Sequence, residues 1–247
     1  MKQAMIFAAG LGTRLKPITD TMPKALVPVA GQPLLWHVVM KLKAAGFERI
    51  VVNVHHLAPQ IVGYLQANDN FGLDIHISDE TEQLLETGGG IKKALPLFDP
   101  EAPVLIHNVD ILSNIDLKAL YEAVSQRSAQ PDALLLVSPR KTKRYLLFDE
   151  EYILDGWTNI ETGEVRSPYP GLDPSALRQL AFSGIHVLSP RVFPLFAEMP
   201  DRFGIIDFYL KYCHRCAFMG MERKDLRLMD VGKLDTLEQA EIFIKQL

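Results

Sequence analysis

The chain has 247 residues, 48% of them hydrophobic and 23% charged, with a mean hydropathy near zero, which excludes intrinsic disorder, collagen-like repeats and a disulfide-stapled mini-protein. A formal charge of -4 gives no electrostatic reason to expect a nucleic acid or an anionic membrane as partner, and favours a small molecule. A chain this long buries roughly three quarters of the surface it exposes when unfolded, so any metal it binds is expected to serve chemistry rather than to staple the fold.

Gln3 to Ala9 reads as a buried strand. The run breaks at Gly10 before a signal-peptide apolar region is complete, and the only cysteines are Cys213 and Cys216, so a reducing, cytoplasmic setting is expected. No apolar run approaches the roughly 20 residues of a membrane-spanning helix. Pro33 to Ala45 is predicted helical, with Leu34, Leu35, Val38, Val39 and Leu42 on one stripe and Gly46 closing it. A strand at Ile50 to Asn53, a helix at Pro59 to Leu65, a strand at Asp74 to Ser78, a helix at Gly90 to Leu97 and a strand at Pro103 to His107 follow. This alternation implies a mostly parallel sheet with helices on both faces.

Asp116 to Gln126 reads as a helix capped by Asn114 or Asp116, and Ala133 to Val137 as a strand. Beyond it, Tyr145 to Phe148, Tyr152 to Leu154, Glu164 to Arg166 and Ala181 to Leu188 read as short strands of a more antiparallel insert, and Ile206 to Tyr212 and Thr236 to Gln246 as short helices. No repeat or linker divides the chain. The expected fold is one Rossmann-like three-layer α/β sandwich over residues 1–247, with a mostly parallel mixed sheet and a small antiparallel C-terminal insert, the alternating part ending at about residue 138 and the rest running over about 139–247.

The first strand runs into Ala8-Ala9-Gly10-Leu11-Gly12-Thr13-Arg14. Small residues after a parallel strand let backbone amides approach an anion, so this loop is a candidate phosphate cradle. Leu15 stands where a dinucleotide fingerprint wants a third glycine, and no Gly-Lys-Ser/Thr of a Walker loop occurs. The loop carries its own cation, Arg14, and a second, Lys24, follows in Pro23-Lys24-Ala25-Leu26-Val27-Pro28-Val29. A planar fork and a compact charge together suit a triphosphate attacked at phosphorus.

These residues, from Gly10 through Arg14, Pro17, Thr19 and Lys24 to Pro33, resemble the N-terminal signature of the sugar-1-phosphate nucleotidylyltransferases. Further on, Leu85-Glu86-Thr87-Gly88-Gly89-Gly90-Ile91 resembles that family's nucleoside-recognition loop, in the form seen in N-acetylmuramate-1-phosphate uridylyltransferases. Read locally, three glycines let backbone lie flat against a base or ribose, with Glu86 as an acceptor.

His107-Asn108-Val109-Asp110 ends an apolar strand, and Leu226 to Asp230 is a second apolar run ending in a carboxylate, so Asp110 and Asp230 form a candidate Mg²⁺ clamp. Both match the family by position, although Val109 stands where the family usually has glycine. The resemblance implies that Ala8, Ala9, Gly10, Gly12, Thr13, Glu86, Gly88 and Asn108 hold the nucleotide. It implies further that Arg14 and Lys24 serve catalysis, and that Asn159 and Gly184 touch the sugar.

The implied reaction is Mg²⁺-dependent transfer of a nucleotidyl group from a nucleoside triphosphate to a sugar 1-phosphate, with UTP and N-acetylmuramate 1-phosphate first among substrates. GTP with mannose 1-phosphate, CTP with phosphocholine, and a catalytically silent nucleotide-sugar-binding relative remain as alternatives. A glycosyltransferase would want an Asp-x-Asp motif, which Asp110-Ile111-Leu112 does not supply. Cys213-His214-Arg215-Cys216 lacks a partner pair for zinc, His55 and His56 would point to opposite faces of a strand, and the run Arg140 to Arg144 reads as solvated charge. His107 reads as a satisfied core histidine.

Overall fold

A computed structural model describes residues 1–126 and 130–247. Its elements in chain order begin with β1 (Lys2–Phe7), the hairpin β2 (Pro28–Val29) and β3 (Gln32–Pro33), α1 (Leu34–Ala44), β4 (Phe47–Val54), α2 (Ala58–Ala67), β5 (Asp74–Asp79) and α3 (Glu86–Ala94). They continue with β6 (Val104–Asn108), β7 (Ile111–Ser113), α4 (Leu117–Gln126), β8 (Ala133–Ser138), β9 (Arg144–Phe148), β10 (Leu154–Asn159) and β11 (Glu164–Arg166). The last are β12 (Arg178–Leu188), α5 (Ile205–Tyr212), β13 (Phe218–Glu222), β14 (Leu228–Asp230) and α6 (Leu237–Ile244).

Ala4, Met5 and Ile6 are wholly buried, so β1 is apolar on both faces and belongs in the middle of a covered sheet. It pairs in parallel with β4 on one side and β6 on the other, and β5 extends the parallel section beyond β4. The long strand β12 then reverses direction. It runs antiparallel to β6, to β8 and to β9, and β10 and β11 continue the antiparallel extension. One face of the sheet carries Leu34, Leu35 and Val38 of α1, Ile61 of α2 and Leu120 of α4; the other carries Ile91 of α3 and Phe208, Tyr209 and Tyr212 of α5. Cores on both faces make three layers. Among the described residues no helix is long and apolar enough to cross a membrane.

Several boundaries differ from the sequence reading, each for a local reason. The strand expected at Tyr152 to Leu154 starts only at Leu154, because Asp149 Oδ1 accepts the Ile153 amide (2.7 Å) and Tyr152, at φ +65°, closes a tight turn. The helix expected from Gly90 begins at Glu86, so all three glycines of its motif are helical. Asp116, not Asn114, caps α4, accepting the Ala119 amide at 2.9 Å. Asn114 instead accepts the Arg227 amide (2.9 Å) and donates to the Asp225 carbonyl (2.9 Å), holding the approach to β14. That strand is outside the main sheet: it forms a ribbon with β7, setting Asp230 opposite Ile111.

His107 is buried as expected, but only half satisfied. Nδ1 lies 2.7 Å from the Asn108 carbonyl, whereas Nε2 has no partner among the described residues. Burial, helped by Lys41, lowers its pKa to about 4, and burial lowers that of His186 to about 3. In the unfolded chain both titrate near 6.5. Below pH 6.5 the unfolded chain therefore binds protons that the native state refuses, and stability is lost as pH falls toward the native-state values. Each histidine contributes up to about 1.4 kcal/mol per pH unit. Urea unfolding followed from pH 7.5 to 5 is expected to show this decline below pH 6.5; a flat profile would contradict it.

Candidate active site

The first loop is built by a polar residue in an apolar strand. Asn53, buried in β4, accepts the amides of Ala8 (2.7 Å) and Ala9 (3.3 Å) on Oδ1 and donates from Nδ2 to Glu80 Oε1 (2.7 Å). Glu80 Oε2 in turn accepts the Leu85 amide (3.0 Å), so one buried pair ties the first loop to the second. Ala8 and Ala9 both line the cavity, and their amides are engaged by Asn53. The amides of Gly10 and Leu11 make no hydrogen bond within the described residues and remain for an anion.

The two loop glycines do different work. Gly12 has φ +64°, and a Cβ there would lie 2.8 Å from Thr19 Cγ2 and 3.1 Å from Lys24 Cβ. Thr19 Oγ1 donates to the Gly12 carbonyl (2.8 Å), pressing the turn onto the segment that carries Lys24. A Cβ at Gly10 would meet nothing within 4 Å and would project where the cavity is open. Gly12→Ala is therefore expected to lose about 1 to 3 kcal/mol of stability through overpacking and backbone strain. Gly10→Ala should keep the wild-type Tm but raise KM for the nucleoside triphosphate on the order of tenfold. Thermal melts and initial rates separate the two, and equal Tm losses would reject the distinction.

Around this loop the four charged residues singled out from sequence converge. Lys24, buried on a 3-10 turn (Lys24–Leu26), forms an ion pair with Asp110 just beyond the end of β6. The Asp110 carbonyl accepts the Val231 amide (2.8 Å), docking the β14 ribbon beside it. A Cβ on Gly232 would stand 2.6 Å from Asp230 Oδ1 and 2.8 Å from an Arg14 guanidinium nitrogen, so this glycine is what lets Arg14 and Asp230 share that space. Thr13 and Arg14 are exposed on the turn Thr13–Leu15, which Leu15 anchors in the core. Burial, then the neighbouring Asp110 charge, raises the Asp230 carboxyl above the ordinary carboxylate range, with Lys24 and Arg14 pulling the other way.

That arrangement tests whether a divalent ion fits. Two carboxylates are held together at a cost that a cation relieves, and no group of three or more His, Cys, Asp and Glu residues forms a complete metal cage among the described residues. Mg²⁺ is bound this way, by one or two carboxylates with waters and substrate phosphates completing its octahedron, whereas structural zinc wants four protein ligands. The residues fit Mg²⁺.

The glycines of the second loop are explained by packing. A Cβ on Gly88 would lie 2.2 Å from the Phe203 ring, one on Gly89 2.2 Å from the Asp201 carbonyl oxygen, and one on Gly90 2.8 Å from Glu80 Oε1. The Gly88 amide donates to the Phe203 carbonyl (2.9 Å). Gly88, expected to contact the nucleotide, thus seats α3 against residues 199–205, and its neighbours Glu86 and Thr87 face the cavity. Glu86 also pairs with Arg202 (3.1 Å), and Thr87 Oγ1 accepts the Ile205 amide (2.9 Å). Val109, in place of the usual glycine, is buried and packs into the apolar core while lining the cavity.

Of three neighbouring cavities, two lie at the C-terminal ends of β1 and β6, and the third lies over the antiparallel strands β9 to β12. The first, about 240 Å³, holds Ala8, Gly10, Lys24, Glu86 and Asp110. Phe7, Thr87 and Asn108 line both it and a second of about 250 Å³, which adds Gly184 and Asp230. Gly184 sits at φ +72° in an irregularity of β12, and a Cβ there would lie 2.7 Å from Asn108 Nδ2, so what it admits closely is the Asn108 carboxamide. Asn159 does not reach these cavities, because its carboxamide Oδ1 accepts the Glu161 amide (3.1 Å) in the turn after β10. A third cavity, about 340 Å³, shares Arg140, Phe182 and Ile206 with the second. The charged residues of the run Arg140 to Arg144 are all exposed, as a solvated stretch requires, and Arg140, Thr142 and Arg144 also line this cavity.

Other polar groups are structural. His55 lies within hydrogen-bond distance of the Glu80 carbonyl (2.7 Å) and His56 of the Thr19 carbonyl (3.0 Å), each tying a different segment. Cys213 and Cys216 are free thiols; burial raises Cys213 to about 12 and raises Cys216 as well, which keeps both from acting as thiolates.

A family model described as Nucleotidyl transferase matches residues 3–146. The chain is 38% identical to N-acetylmuramate alpha-1-phosphate uridylyltransferase of Caulobacter vibrioides over 208 residues, covering 81% of this chain and 79% of the relative. It is 37% identical to the protein of the same name from Neisseria meningitidis, covering 77% of each. Among solved structures, a UDP-glucose pyrophosphorylase complexed with UDP-glucose superposes over the whole of both chains with a TM-score of 0.77 at 18% identity, a likeness of fold.

Proposed function

The chain belongs to the sugar-1-phosphate nucleotidyltransferases, and from that premise we propose that it joins UTP to N-acetylmuramate 1-phosphate, giving UDP-N-acetylmuramate and pyrophosphate in cell-wall recycling. The observation that carries the choice of substrates is the identity, at 38% and 37% over more than three quarters of the chain, to two uridylyltransferases named for that sugar phosphate. A cytoplasmic setting belongs to the same reading, supported by the two free thiols.

The attacking group is a phosphate that is already anionic, so the site needs no strong base and no covalent intermediate. Its task is to hold the sugar phosphate in line with the α-phosphorus and to neutralise charge on the departing pyrophosphate. In this proposal the free amides of Gly10 and Leu11 cradle the triphosphate, Arg14 holds the leaving pyrophosphate, and Lys24 meets the reacting phosphates from beside Asp110. Glu86, Thr87 and Asn108 orient the nucleoside from the opposite wall, and the sugar lies in the second cavity, where Gly184 leaves room for the Asn108 carboxamide. Asp110 and Asp230 would hold Mg²⁺, which when bound supplies positive charge to the triphosphate oxygens.

The test is pyrophosphate release measured with Mg²⁺ across four nucleoside triphosphates and a panel of sugar 1-phosphates. The highest kcat/KM is expected for UTP with N-acetylmuramate 1-phosphate. A maximum for GTP with mannose 1-phosphate would keep the chemistry and replace the substrates.

A further inference from the structure

The third cavity is strongly biased in charge. Three arginines, Arg140, Arg144 and Arg166, line it against one carboxylate, Asp207, in a chain whose formal charge is -4. That carboxylate is already engaged: its Oδ1 pairs with Arg166 (2.5 Å) and its Oδ2 accepts the Gly204 amide (3.2 Å) at the start of α5. Arg166 also lies over the Trp157 ring, 5.7 Å from its centroid, which fixes its fork beside an apolar wall. Arg140 is oriented by donating to the Phe182 carbonyl (3.1 Å). Arg144 makes neither an ion pair nor a side-chain hydrogen bond within the described residues. Among the described residues neither Arg140 nor Arg144 is in an ion pair, although the Arg140 charge also acts on Asp230 at the edge of the second cavity.

The cavity opens from the second one through Arg140, Phe182 and Ile206, on the side of Gly184 and Asp230 away from the nucleotide loop. A sugar seated beside Gly184 would direct a ring substituent into it. We infer that this chamber reads an acidic substituent on the sugar, with Arg144 and Arg140 binding its carboxylate and the Trp157 ring packing against its apolar part. The inference rests on the substrate reading above and deepens it. N-acetylmuramate differs from N-acetylglucosamine by a lactyl ether, which carries one carboxylate and one methyl group. The planar guanidinium matches a carboxylate with two parallel hydrogen bonds. A neutral sugar forms no such pair and leaves these exposed cations to water, so the preference for the acid comes from the hydrogen bonds and charge pairing that it alone gains.

The test compares kcat/KM with UTP for N-acetylmuramate 1-phosphate, its lactyl methyl ester and N-acetylglucosamine 1-phosphate. The wild type is expected to prefer the acid over the ester on the order of ten- to a hundredfold. Arg144→Gln should bring that ratio close to one, chiefly through KM for the acid, and Arg144→Lys should recover part of it. Lys143→Gln, which removes a neighbouring exposed cation paired with Glu161, should leave the ratio as in the wild type. Turnover of the acid with no preference over the ester, or an Arg144→Gln ratio equal to wild type, overturns the chamber assignment while the substrate reading stands. No turnover of the acid by the wild type overturns both.

Discussion

Asp110→Asn is expected to yield a folded protein whose kcat is lower by on the order of 10³-fold. The fold should survive because Asn has the same shape and the backbone carbonyl of residue 110, which accepts the Val231 amide and docks the β14 ribbon, is untouched. Lys24 loses its ion-pair partner while partly screened by the cleft, a cost of about 1 to 3 kcal/mol. What disappears is one of two anionic oxygen donors and with it the charge that gathers a cation at the triphosphate. Circular dichroism and a thermal melt establish the folded fraction, and pyrophosphate release measures turnover. A folded variant keeping more than a tenth of wild-type kcat would remove Asp110 from the site.

Lys24→Ala should be nearly as damaging, on the order of 10²-fold in kcat, and it has a pH signature of its own. Asp230 already titrates above the ordinary range through burial and the Asp110 charge, and Lys24 is the first of the cations that hold it down. Without Lys24 the native carboxyl rises further. A carboxyl whose folded-state pKa exceeds its unfolded value of about 3.9 makes the native state bind more protons, so its contribution to stability falls as pH rises through that window. The variant should therefore be close to wild type near pH 4.5 and most destabilised at pH 7.5. Millimolar Mg²⁺ should raise its Tm at pH 7.5 more than it raises that of the wild type. A pH-independent difference, or no response to Mg²⁺, would contradict the clustered charges described here.

The charged constellation was readable in the sequence because it lies in short contiguous motifs. Arg14 and Lys24 sit within one N-terminal segment, and Asp110 and Asp230 each end an apolar run. The α/β alternation was readable for the same reason: stripes such as Leu34, Leu35, Val38, Val39 and Leu42 are properties of neighbouring residues. What escaped depends on distant partners. Asn53 joins Ala8 to Glu80 across strands far apart in sequence, and its only local sign is a carboxamide at the end of an apolar strand. The roles of Gly88 and Gly89 depend on Phe203 and Asp201, more than a hundred residues on, and that of Gly90 on Glu80 in the preceding loop. The arginine chamber gathers Arg166 and Trp157 with Arg140 and Arg144, and here a signal was available: in Arg140-Lys141-Thr142-Lys143-Arg144 alternate residues face the chamber, as a strand-like period of two requires.

The ribbon of β7 and β14 carries Asp230 on three residue pairs, outside the sheet whose strands hold the rest of the site. A two-stranded ribbon has little stability of its own, so separating it takes only part of the free energy of global unfolding. Opening there would move Asp230 and uncover Leu228, Met229 and Val231, which pack on the core beneath α1, while the core beneath α5 stays covered, so displacement of Asp230 and loss of the fold are different events. Hydrogen exchange at the amides of Leu228 to Asp230 would report that local opening, and the amides of β1 and β4 would report the whole molecule.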